Sequence, residues 1–119
     1  MSKVKTAPAS RGRRRRVLKR AKGYRGARGK LIRLATESVE RGLAYAFRDR
    51  KARKRDIRGL WITRIGAACR IEGLSYSRFS SGLKKAGVAL DRKVLADLAV
   101  RDRGVFKELA DVARGAGNK

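Results

Sequence analysis

Residues 1–33 carry 14 Lys and Arg side chains and no Asp or Glu. Like charge without counter-charge cannot collapse on itself, so such a stretch orders only against something of opposite sign. The imbalance runs on. Residues 1–58 hold 22 basic and 4 acidic residues, net +18, whereas residues 59–119 hold 12 and 6, net +6. Net charge is a statement about partners and not about fold. For the full 119 residues it is +24, and the partner it calls for is a dense polyanion.

Apolar side chains lean the other way. Val, Ile, Leu, Met, Phe, Trp and Tyr number 13 in residues 1–58 and 19 in residues 59–119. The second part can bury a small core, while the first largely cannot. The expected organisation is therefore a basic extension over 1–58 that threads a polyanion and a compact helical polyanion-binding domain over 59–119. The second is expected to fold alone and the first is not.

Periodicity points to helices throughout, and no strand pattern stands out. Residues 1–10, with the one proline at Pro8, read as an extended arm. Arg11 to Lys22 reads as a short helix, supported only by Val17, Leu18 and Ala21. Gly23, Gly26 and Gly29 then break it. From Leu31, apolar residues recur at three- and four-residue steps: Leu34, Ala35, Val39, Leu43, Ala46 and Phe47, then Ile57, Leu60, Trp61, Ile65, Ala68 and Ile71. A helix over 31–72 would be about 60 Å long at 1.5 Å per residue, too long for one small domain. Gly42, Gly59 and Gly66 mark places for a bend. Gly73 is a stop signal. Ser75, Asp91 and Asp102 then cap three short helices, the first ended by Gly87. The fold class is all-α: an extended basic N-terminal arm and long helix leading into a small helical C-terminal domain.

The residue inventory argues against whole classes of chemistry. There is no histidine, the commonest general base and metal ligand. Cys69 is alone, so it forms no intramolecular disulfide, a usage that fits a reducing cytosol. No Ser, Cys or Lys has an evident base and the acids are scattered. The expectation is no enzyme, no cofactor, no metal and no small-molecule substrate. The longest uncharged run is Gly42–Phe47, six residues, against roughly 20 for a membrane span. An Arg-rich transit peptide is disfavoured because the basic pattern continues to Arg58.

Several segments suit a nucleic acid, each beside a plainer reading. Lys3, Lys5, Arg11, Arg13, Arg14, Arg15, Arg16, Lys19 and Arg20 form a phosphate clamp or a solvated basic tract. Lys22, Tyr24, Arg25, Arg28, Lys30 and Arg33 surround the glycines. There the backbone either approaches phosphate closely, with Tyr24 stacking on a base or ribose, or serves as a hinge. Arg48, Arg50, Lys51, Arg53, Lys54, Arg55 and Arg58, with Arg64 beyond, put charge around the whole helix. That suits threading between nucleic-acid segments, with Asp49 and Asp56 fixing neighbouring Arg forks, or else an ordinary salt-bridged surface. Ser75, Ser77, Arg78, Lys84, Lys85, Arg92 and Lys93 gather at helix ends and suit phosphate, or capping and solubility. Trp61 reads first as core and then as an RNA stacker, and Cys69 as a small buried thiol.

Together these residues are similar to one family. Ala21-Lys22-Gly23-Tyr24, Tyr45-Ala46, Arg48-Asp49-Arg50-Lys51, Leu60-Trp61-Ile62, Arg64-Ile65, Ser75-Tyr76-Ser77, Gly82-Leu83-Lys84-Lys85-Ala86 and Asp91-Arg92-Lys93 resemble the L-twenty family of bacterial large-subunit ribosomal proteins. The resemblance spans about residues 3–112. It implies an all-helical architectural protein whose extension is buried in large-subunit ribosomal RNA, beside neighbouring ribosomal proteins. It implies binding early in subunit assembly, in cytoplasmic ribosomes. Some members also repress their own messenger RNA through the C-terminal domain. Thr6–Ser10 is less basic than the family pattern, Gly59 and Cys69 depart from it, and the 115–119 tail is particular to this chain.

Two other classes share the charge. A DNA-compacting nucleoid protein would show the same steep salt dependence. A membrane-surface polycation would need a one-sided Trp, Phe and Leu face, which the arm lacks.

Overall fold

Each helix boundary follows from local chemistry. A computed structural model describes residues 5–118, and Lys3 lies outside them. Among the described residues there are five α-helices and no strand: α1 (Ala7–Arg20), α2 (Ile32–Ile71), α3 (Tyr76–Lys85), α4 (Arg92–Arg101) and α5 (Arg103–Gly117). A one-turn 3₁₀ helix, Gly26–Gly29, lies between α1 and α2.

The extended arm expected over residues 1–10 is corrected where it is described, because α1 already begins at Ala7. Pro8 sits in the first turn, where its missing N–H costs no intrahelical bond. Ser10 N donates to Thr6 O at 3.0 Å, closing that turn. Helix α2 is 40 residues long and runs uninterrupted through Gly42, Gly59 and Gly66.

Contacts divide the chain into two units, Met1–Lys51 and Ala52–Lys119, with the division inside α2. The first unit forms only a small core. Ala21, Ala35 and Val39 are buried, with Val17 and Leu18 packed against them. Leu31, Leu34, Leu43 and Phe47, on the same periodic pattern, stay exposed. Within this unit α2 is met by the end of α1 and by the turn that follows it, and the two together are too short to cover the whole face.

The second unit holds the larger core. Ile65 and Cys69 of α2 pack with Phe79 and Leu83 of α3, Leu95, Ala96 and Ala99 of α4, and Phe106, Ala110 and Ala113 of α5. The Phe79 and Phe106 rings stack with centroids 5.0 Å apart. Trp61 is partly buried against this cluster, the first of its two expected roles.

Helices α2 and α3 stop in the same way. Gly73 N donates to Arg70 O and Leu74 N to Cys69 O; Gly87 N donates to Lys84 O and Val88 N to Leu83 O. This paired pattern needs a left-handed residue, and Gly73 and Gly87 have φ of 74° and 76°. Leu74 and Val88, the residues that follow, turn back onto the core. The three expected caps form: Ser75 Oγ, Asp91 Oδ1 and Asp102 Oδ1 accept from the backbone N–H of Arg78, Val94 and Val105.

Candidate nucleic-acid interface

The basic side chains of the first unit point to solvent. Arg11, Arg13, Arg14, Arg15, Arg16, Lys19 and Arg20 of α1 are all exposed. So is every charged side chain from Arg48 to Arg58. Counter-charge is scarce. Among the described residues, four ion pairs form: Arg41–Glu37, Arg48–Asp49, Arg101–Asp97 and Arg114–Asp111. Asp49 therefore pairs as expected, with Arg48 at 3.0 Å, whereas Asp56 forms no ion pair among the described residues. All four pairs are solvent-exposed, and such pairs contribute about 0–1 kcal/mol. The other described cations of the first unit form no ion pair.

The glycine-containing turn builds a concave site. Tyr24, Arg25 and Arg28 face Leu34, Glu37, Ser38, Arg41, Gly42 and Tyr45 of α2 across a cleft of about 640 Å³. Tyr24 seats its hydroxyl against Gly42, where an added Cβ would lie 3.2 Å from the oxygen. Tyr45 carries the Arg48 guanidinium over its ring, 4.6 Å from the centroid. Two turns of helix thus place Glu37, Arg41 and Tyr45 at i, i+4 and i+8 on the side that faces the turn. The sequence reading passed over Glu37, Ser38 and Arg41. Their spacing on α2 was legible, but the segment opposite them was not.

In the second unit the candidates are less concentrated. Ser77, Arg78, Lys84, Lys85 and Lys93 are exposed. Arg92 is half-buried, and its Nε donates to the Tyr76 hydroxyl at 3.0 Å, joining the starts of α4 and α3. Lys84 and Arg92 line one small cavity, and Ser75 lines a separate groove beside Arg70. Arg114 is spent on structure: it donates to the Glu72 carbonyl at 2.6 Å and holds α5 to the end of α2.

Among the described residues the core contains no buried charged side chain, and no cluster of Cys, Asp and Glu has the makings of a metal site. No described helix is long and apolar enough to cross a membrane.

Comparison with known proteins decides the family. The family described as ribosomal protein L20 matches residues 3–109. This chain belongs to the ribosomal protein L20 family. Its similarity extends over whole proteins. It is 63% identical to the large ribosomal subunit protein bL20 of Pelobacter propionicus, over 98% of this chain and 99% of that one. The bL20 protein of Geobacter metallireducens is 64% identical over 96% of this chain and 97% of its own length. That of Natranaerobius thermophilus is 56% identical with the same coverage. The family match takes in the cleft, α2 and the caps of the second unit.

Proposed function

We propose that this chain is a structural constituent of the large ribosomal subunit that binds large-subunit ribosomal RNA directly and supports early assembly of the subunit. The observation that carries the reading is the uncompensated charge. Two exposed ion pairs, Arg41–Glu37 and Arg48–Asp49, are set against the whole basic surface of the first unit. A free surface of this kind is self-repelling, and RNA relieves the repulsion by replacing condensed counterions with Lys and Arg. Helix α1 has no buried residue of its own, so its helical form draws support from what lies outside it.

The partners on this reading are ribosomal RNA and neighbouring large-subunit proteins, in the cytoplasm. The candidate phosphate contacts are those of the basic segments, Lys3 through Arg64. A second group lies in the C-terminal unit, from Ser75 to Lys93. Repression of the chain's own messenger RNA, acting through that unit, belongs to the same reading. It needs only an RNA fold that presents phosphates in the ribosomal arrangement.

The test is co-sedimentation. The tagged full chain is expected to stay with large subunits through a high-salt wash, and excess duplex DNA is expected to displace it poorly from its RNA. Release in the wash with equal affinity for duplex DNA would favour the nucleoid alternative instead.

A further inference from the structure

From the cleft between the glycine turn and α2, we infer that the first unit captures one unstacked guanine nucleotide of its RNA. This rests on the RNA-binding reading above and names what one part of that surface holds.

Three features of the cleft point to a nucleotide and not to a stretch of backbone. Its volume, about 640 Å³, falls in the range of sites that enclose a small molecule. It offers aromatic surface for a base from two chain segments, Tyr24 on the turn and Tyr45 on α2. Both rings are partly open to solvent, Tyr24 at 41% and Tyr45 at 52%. Bases splayed out of RNA are held by stacking on such rings. Arg25, Arg28 and Arg41 surround the rings with charge for the phosphate.

The fourth feature selects the base. Glu37 puts a carboxylate among three arginines, where it weakens attraction for phosphate. Its pairing with Arg41 is long, 3.5 Å, and both side chains are more than half exposed, so the carboxylate is not committed to it. A carboxylate accepts hydrogen bonds and donates none. Guanine alone among the four bases presents two adjacent donors, N1–H and N2–H₂, on its Watson–Crick edge, matching the two oxygens. Uracil presents carbonyls that the carboxylate repels. The nearby Ser38 hydroxyl donates or accepts and can serve the guanine O6.

The experiment uses the full chain on large-subunit ribosomal RNA. Hydroxyl-radical footprinting reports the backbone, and kethoxal, which attacks the N1–N2 edge of unpaired guanine, reports the base. Wild type is expected to protect a discrete unpaired guanine inside its backbone footprint. Glu37→Gln is expected to lose that protection and keep the footprint. Tyr24→Ala is expected to lose it as well and weaken overall binding by about 5- to 150-fold, the range of one base–aromatic stack. Both substituted side chains are exposed, and Glu37→Gln is nearly isosteric, so folding is not at stake for it. A wild-type footprint without a protected guanine, or protection unchanged in Glu37→Gln, overturns the guanine site while leaving RNA binding intact. Absence of any footprint overturns both.

Discussion

A Cβ added to Gly82 would sit 2.8 Å from both the Cα and the carbonyl carbon of Ala113. Helices α3 and α5 therefore meet backbone to backbone, with only hydrogen between them. Both residues are buried in the second unit. The obstructing atoms are main chain, so no side-chain rotation relieves the clash. Gly82→Ala is expected to force the helices apart and lose about 2–3 kcal/mol, at the upper end for overpacking. A fall in Tm of about 10 °C or more in thermal unfolding of the full chain is the expected readout. An unchanged Tm would show that α5 shifts freely.

Asp102 does two jobs at one position. Its backbone N–H closes α4 on Leu98 O, and its carboxylate accepts from Val105 N at 3.2 Å to start α5. Asp102→Ala keeps the first and removes the second. The expected loss is about 1 kcal/mol, against a few tenths for Asp102→Gly. Denaturant midpoints of the two variants, at constant m, check the order.

Cys69 is fully buried, and burial pushes its thiol up from 9.0 to about 11. In the unfolded chain the thiol loses its proton near 9, while the folded chain keeps it until about 11. The folded state thus holds more protons across that interval, and stability falls as pH rises through it. Below about pH 9 the contribution is fully present. Lys and Tyr titrate nearby, so the measurement is a comparison: Cys69→Ala is expected to show a shallower loss of stability between pH 9 and 11. A thiol reagent is expected to label wild type at neutral pH only after denaturation.

The exposed cations of α2 predict a salt law. If Arg50, Arg53 and Lys54 each neutralise one phosphate, replacing one with Ala lowers the slope of log K against log salt by about 0.7–0.9. The triple variant is expected to lose about 2–3 from the slope. Ser75→Ala removes no charge and is expected to leave the slope unchanged while weakening the α3 cap. Titrations at several salt concentrations check this, and equal slopes for wild type and the triple variant would remove this helix from the RNA interface.

Caps and stops were legible because they are local. Ser75, Asp91 and Asp102 each bond a backbone N–H three residues on, so the signal lies within one turn of sequence. Gly73 and Gly87 end helices through their own φ. The start of α1 was misread because Pro8 and small neighbours resemble a linker, although proline in a first turn is compatible with a helix. Burial was harder. The residues buried in α4, α5 and the small core of the first unit include many alanines: Ala21, Ala35, Ala96, Ala99, Ala110 and Ala113. Larger side chains such as Leu43 and Phe47 are more than half exposed. A 3.6-residue period tells which side chains share a face, but not whether anything covers it.

Taken alone, the sequence determined the all-helical class, the position of the helix ends in the second unit and the large excess of positive charge. Each of these depends on residue type and spacing over a few positions, or on a simple sum of charges. Only the tertiary structure decided that alanine lines the cores, that Gly82 lets two helices touch, and that Tyr24 faces Glu37 and Arg41 across a cleft. These depend on which distant segments meet and how closely, and helix periodicity carries no information about distance across the gap between two helices.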